Sequence, residues 1–174
     1  METSSIDPIA ALKSDHEIVR SVLNNLEEYL KKIGKVSSEG LRNNLINQLN
    51  EITAFIDKDL EVHFKKEEDG LFPVLGKYIG TETGPIHVML LEHKQSREIS
   101  SEFKSKIKDY QSTKEFDSIL NDGFAFFKLL SEHIDKEEQI LFNMADMQLS
   151  KEEKHEIMQK FLNISSISRE TQTR

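Results

Sequence analysis

The chain carries one phrase twice. HFKKEEDGLF at residues 63–72 returns as HIDKEEQILF at 133–142, an offset of 70 residues. Each copy sets a histidine four residues before a glutamate, His63 with Glu67 and His133 with Glu137. Four residues of α-helix turn through about 400°, so the imidazole and the carboxylate leave one helix face roughly a turn apart. A ring nitrogen beside a carboxylate oxygen is half of a metal site. Two further histidines, His16 and His93, stand in apolar stripes of their own. Imidazole with carboxylate and no thiolate suits iron or manganese, with zinc as a further option.

To act together, these side chains need elements that bring them to one level. Asp7 followed by Pro8 reads as an N-cap and first helical position, and Ile9, Leu12, His16, Val19, Leu23, Leu26 and Leu30 recur at helical spacing until Gly34. Ser37 or Ser38 caps a second helix whose stripe passes Leu41, Leu45, Leu49, Ile52, Ile56, His63 and Glu67 and stops near residues 70–73. Residues 83–85 open a third helix, carrying Met89, Leu90, His93, Ile99, Phe103 and Ile107. Ser112 with Glu115 offers a capping box for a fourth, which carries His133 and Glu137 to a break near residues 142–144. Ser150 with Glu153 repeats that signal before a last amphipathic stretch. The segment 71–82 reads as an ordered loop with one extra turn. The expected fold is all-α: an up-down-up-down four-helix bundle with a short additional C-terminal helix. A single domain over 1–174 is expected, with the bundle over about 7–145, the short helix over about 150–164 and a frayed polar tail over 165–174.

Antiparallel neighbours place the four histidines at a common depth, roughly 10–14 Å from one end of the bundle at about 1.5 Å per residue. Glu67 and Glu137 lie a turn nearer that end. Both continue apolar stripes, and burying an unpaired carboxylate costs several kcal/mol. Six donors around two divalent ions predict glutamates that bridge and histidines that terminate. Such a set leaves coordination positions open, which points to small-ligand chemistry.

Composition narrows the alternatives. The 174 residues include no cysteine, which excludes disulfides, thiolate metal sites and cysteine nucleophiles. A net charge of −8 opposes an electrostatic grip on nucleic acid or anionic lipid. No apolar run approaches the ~20 residues that span a bilayer. The opening METSSIDPIA has neither the basic nor the apolar region of a signal peptide, so the expected location is the cytoplasm.

The pattern H…HxxxE…H…HxxxE, met by His16, His63 with Glu67, His93, and His133 with Glu137, resembles the hemerythrin-like family, also called the HHE cation-binding domain. DHE at 15–17, EEDGLFP at 67–73, GPIHVMLLEH at 84–93 and KEEQILF at 136–142 strengthen the likeness, which covers about residues 7–145. The resemblance implies an oxo- or hydroxo-bridged non-haem di-iron centre, with Glu67 and Glu137 bridging and an open position for O2, NO or a related diatomic. Two departures set the chain apart from the invertebrate oxygen carriers. Those carry a His-x-x-x-His pair on the third helix where this chain has Met89 before His93, and a five-residue His-to-Asp step where it has His133 with Glu137. The chain is closer to the bacterial and archaeal four-histidine branch. Other readings in the same frame are a di-iron enzyme of iron–sulfur cluster repair, peroxide or NO removal, and iron handling. The known repair proteins usually carry a cysteine-bearing segment.

Other chemistry-bearing residues read as bystanders. His87, about 240° round the helix from His93, faces elsewhere, and His155 reads as a surface residue. Asp59 is either a partner orienting His63 or a solvated charge. Glu68 and Glu138 turn about 100° from the ligand glutamates, toward solvent. Arg97 either neutralises a buried acid or snorkels to solvent, with snorkelling the favoured reading, and Phe64, Phe126, Phe127 and Phe142 are expected to fill the core, where an apolar wall would suit O2.

Overall fold

In a computed structural model, residues 7–170 are described. Asp7 caps the first helix as its spacing predicts, its Oδ1 accepting from the N–H of Ile9 at 2.8 Å. α1 then runs Pro8–Ile33. Ser38, rather than Ser37, caps α2.

α2 does not stop at Gly70. It is one rod over 39–79, built of α-helical Glu39–Phe55, Glu61–Lys65 and Phe72–Ile79 joined by wider π turns at Ile56–Leu60 and Lys66–Leu71. The expected break near residues 70–73, and the loop over 71–82, are therefore corrected. Pro73 would press on the carbonyl four residues back in a regular helix. The π turn removes that conflict: the N–H of Phe72 donates to the carbonyl of Glu67, five residues back, and Pro73 falls in the first turn of the next segment. The true link is 80–84, where Gly80 and Gly84 hold φ of 78° and 79°, backbone that favours glycine.

α3 spans Pro85–Thr113. α4 covers 117–148 as Asp117–Lys136, a π turn at Glu137–Leu141, and Phe142–Gln148, so the break expected near 142–144 is again a π turn. The capping box of Ser112 and Glu115 does not form. α3 runs on through Thr113, whose Oγ1 accepts from the N–H of Glu115 at 3.2 Å, and α4 starts without a side-chain cap. The box of Ser150 and Glu153 does form, with Ser150 N donating to Glu153 Oε2 at 2.9 Å and Glu153 N to Ser150 Oγ at 3.2 Å. It opens α5, Lys151–Glu170, a helix of 20 residues rather than a short one. The tail expected to fray is helical to residue 170; its last part, 171–174, lies outside the described residues.

Among the described residues there is no strand. α1 and α3 each pack against both α2 and α4, which makes the up-down-up-down bundle, and α5 lies across α1 and α2. Gly70 permits that crossing, because a Cβ there would sit 2.6 Å from the ring of Phe161. Two apolar clusters form the core. One, around Leu23, Leu26, Leu30, Leu49 and Phe103, fills the end near Gly34. The other, around Leu12, Leu71, Phe72, Met89, Leu141 and Phe142, fills the opposite end. Each fully buried side chain of this size contributes ~1.5–3 kcal/mol. Between the clusters lies one buried polar layer. No described helix is long and apolar enough to cross a membrane.

Candidate metal centre

The polar layer consists of His16, His63, Glu67, His93, His133 and Glu137, all between 0% and 3% exposed. Each of α1 and α3 contributes one histidine; each of α2 and α4 contributes a histidine and, at its π turn, a glutamate. The six side chains expected from the sequence are all brought together. They form two groups, His16, His63, Glu67 and Glu137, and Glu67, His93, His133 and Glu137, with donor atoms within 4.8 Å of one another in each. Both glutamates belong to both groups. Glu67 turns Oε1 toward His63 Nε2 at 3.5 Å and Oε2 toward His93 Nε2 at 3.3 Å. Glu137 turns Oε1 toward His133 Nε2 at 3.3 Å and Oε2 toward His16 Nε2 at 3.2 Å.

The outward nitrogens decide what the inward ones are. Every Nδ1 faces a carboxylate: His16 with Glu138 at 2.9 Å, His63 with Asp15 at 3.4 Å, His93 with Glu68 at 2.7 Å and His133 with Glu92 at 3.0 Å. An ionised carboxylate only accepts, so each Nδ1 carries the proton and donates. In the neutral rings Nε2 is then a bare lone pair. Yet His16 Nε2 lies 3.2 Å from His63 Nε2, and His93 Nε2 lies 3.1 Å from His133 Nε2. A hydrogen bond between rings would require one of them to reverse its tautomer and leave its carboxylate. All four oxygens of Glu67 and Glu137 lack hydrogen-bond partners. Acceptors crowded together without donors repel, and they are costly to bury. A cation in each group would satisfy them. The donor separations of 3.1–3.5 Å match the edges of a coordination polyhedron with bonds of about 2.1 Å. The residues therefore fit a pair of ions.

Behind the carboxylates stands a ring of cations. Lys66 donates to Asp15 at 2.7 Å, Arg97 to Glu68 at 2.8 Å, Arg20 to Glu138 at 3.5 Å, and Lys136 to Glu92. The whole arrangement obeys an internal twofold relation. Asp15, His16 and Arg20 of α1 match Glu92, His93 and Arg97 of α3, and His63, Lys66, Glu67 and Glu68 of α2 match His133, Lys136, Glu137 and Glu138 of α4. Burial alone would raise Asp15, Glu68 and Glu92. The imidazole N–H and cation at each outweigh it, and all three lie below their usual range, Glu68 at about 2. Burial lowers His63 to about 4 and also lowers His93. In the metal-free pair, burial and the charge of Glu137 push Glu67 well above the usual carboxylate range.

The sequence reading missed the outward partners. Glu68 and Glu138 are half-buried, not solvated, because a side chain 100° from the interior reaches the neighbouring helix. Arg97 takes the less favoured of its two courses: it does not snorkel but pairs with acids, Glu61 at 2.9 Å and Glu68 at 2.8 Å. Asp59 is exposed, and the carboxylate on His63 is Asp15. His87 is half-buried and His155 exposed, both outside the cluster. Phe64 stacks on His93 with centroids 3.9 Å apart, and Phe142 on His16 at 5.3 Å. The repeat held a signal for the outward carboxylates: an acid precedes His16 and His93, and a second glutamate follows Glu67 and Glu137.

A comparison with curated proteins found no match. A family model, described as the hemerythrin HHE cation binding domain, matches residues 7–145. That span holds all six converging residues, and by it the chain belongs to the hemerythrin HHE cation-binding domain family.

Proposed function

We propose that this chain holds two iron ions between its four main helices and binds or senses a neutral diatomic, O2 or NO, at them. The observation that carries this reading is the set of eight inward acceptor atoms, four Nε2 and four carboxylate oxygens, packed with no partner but one another. His16 and His63 would terminate one ion and His93 and His133 the other. Glu67 and Glu137 would bridge. Iron in such nitrogen and oxygen surroundings supplies an electron-rich, incompletely coordinated centre for a diatomic.

The chain's own residues do the rest. Asp15, Glu68, Glu92 and Glu138 hold each imidazole in orientation and fix its tautomer. Phe64, Phe72 and Phe142 wall the histidines and exclude water. All four Nδ1 protons are committed outward to carboxylates, so no imidazole proton is aimed at the interior. This favours binding over peroxide or NO turnover, which consumes protons.

The test is anaerobic loading with ferrous iron, followed by metal analysis and optical spectra before and after O2 or NO. Two iron ions per chain and a new charge-transfer band on exposure are expected. Iron binding without any spectral response to either gas, or tight binding of zinc or manganese alone, would overturn the reading.

A further inference from the structure

The two halves of the bundle are covered unequally. The step of 77 residues from His16 to His93 matches Pro8, Ala11 and Leu12 of α1 with Pro85, Val88 and Met89 of α3. The step of 70 from His63 to His133 matches Gly70 and Leu71 of α2 with Ile140 and Leu141 of α4. On the first half, α5 packs against α1 and the π turn of α2. The ring of Phe161 lies against Gly70, and Ile157 and Phe161 join the cluster that buries Leu12 and Leu71. On the second half the matching groove is open. Val88 and Ile140 are exposed there, and a hollow of about 240 Å³ sits between α3 and α4. A helix like α5 has no seat in it, because Ile140 stands where Gly70 makes room for a ring.

The hollow is lined by Pro85, Val88, Met89, Lys136, Ile140 and Leu141. Of these only Lys136 bears a charge, and its ammonium is bound to Glu92. Apolar walls suit a neutral apolar molecule, whereas an anion would leave water for a space that offers it no free donor. The floor lies one helical turn from the metal layer. Met89 stands four residues before His93, and Leu141 four after Glu137. Both are buried, 3% and 1% exposed. α3 and α4 also supply the two histidines of the second group. The unbranched side chain of Met89 changes rotamer readily, so a diatomic can pass it without parting the helices.

We propose that this hollow is the entry by which a neutral diatomic reaches the metal layer, on the side of His93 and His133, and that α5 seals the equivalent entry on the side of His16 and His63. The inference rests on the reading of the centre as a diatomic site. Val88 and Ile140 form the mouth of the entry, and Met89 and Leu141 form its gate.

The probe is dissolved O2, a paramagnet, read by methyl proton NMR relaxation on the full chain loaded with diamagnetic zinc. Met89 and Leu141 are compared with Leu12 and Leu71, their counterparts beneath α5, which are just as buried at 0% exposed. Relaxation at Met89 and Leu141 should quicken about threefold more than at that pair, because O2 prefers apolar space to water. Val88→Trp fills the mouth from an exposed position and should bring Met89 and Leu141 to the level of Leu12 and Leu71. In the iron-loaded chain the same variant should slow gas association and dissociation by one common factor, since an entry changes the barrier and not the end states. Equal relaxation at all four residues, or no effect of Val88→Trp on Met89 and Leu141, would overturn the proposal. An iron-loaded chain that responds to neither gas would sink the diatomic reading, while the relaxation contrast still decides the entry.

Discussion

Glu67 and Glu68, consecutive in α2, face opposite nitrogens of one ring on another helix: Glu67 Oε2 lies 3.3 Å from the bare His93 Nε2, and Glu68 Oε1 accepts from His93 Nδ1 at 2.7 Å. Glu137 and Glu138 of α4 face the two nitrogens of His16 in the same way, at 3.2 and 2.9 Å. Each ring is thereby set by a helix other than its own. Glu68→Ala should weaken the ion beside His93 by about 10–100-fold and leave the other nearly unchanged, with Glu138→Ala doing the reverse. Stepwise metal titration followed by calorimetry reads this. An equal effect on both ions would contradict the assignment.

Metal removal should cost the fold dearly, because it strands the four oxygens of Glu67 and Glu137 in a dry layer. A ligand at a thousand times its dissociation constant adds ~4 kcal/mol, and chelation should lower the melting temperature by about 10 °C. A melting curve unmoved by chelator would show that the layer does not depend on a cation.

Glu68 gives a pH signature in the metal-free protein. Although burial would raise its carboxyl, His93 and Arg97 hold it at about 2 against an ordinary 4.5. The folded value lies below the unfolded one, so the unfolded chain binds more protons between them. The stabilisation is complete above pH 4.5 and is lost as the pH falls toward 2. The stability gap between wild type and Glu68→Gln should shrink over that interval. Denaturant titrations at pH 6 and pH 3 measure it, and a constant gap would contradict the ion-pair account.

Gly70→Ala tests the seat of α5. The added Cβ would lie 2.6 Å from the fully buried ring of Phe161, a clash that costs about 1–3 kcal/mol. Hydrogen exchange in α5 should quicken while α3 and α4 keep their protection. Uniform quickening would place the strain elsewhere.

The six inward residues were legible because helical spacing puts His63 with Glu67, and His133 with Glu137, on single faces, and the doubled phrase advertises them. The bundle was legible for the same reason: stripes with caps at Asp7 and Ser150 mark where helices begin. What escaped was interhelical. Asp15, Glu68, Glu92 and Glu138 look solvated on their own helices and gain meaning only from the histidine next door. The π turns also escaped, since Gly70 and Pro73 carry the usual signs of termination. A carbonyl reached from five residues on, rather than four, lets the rod continue.

The twofold pairing of α1 and α2 with α3 and α4 has a consequence for assembly. The first group takes His16, His63 and Glu67 from one half of the chain and Glu137 from the other; the second group mirrors this. Neither hairpin alone can enclose an ion. Ion capture thus reports on the docking of the halves, and a chain nicked in the 80–84 link should take up metal only as fast as its two fragments find each other.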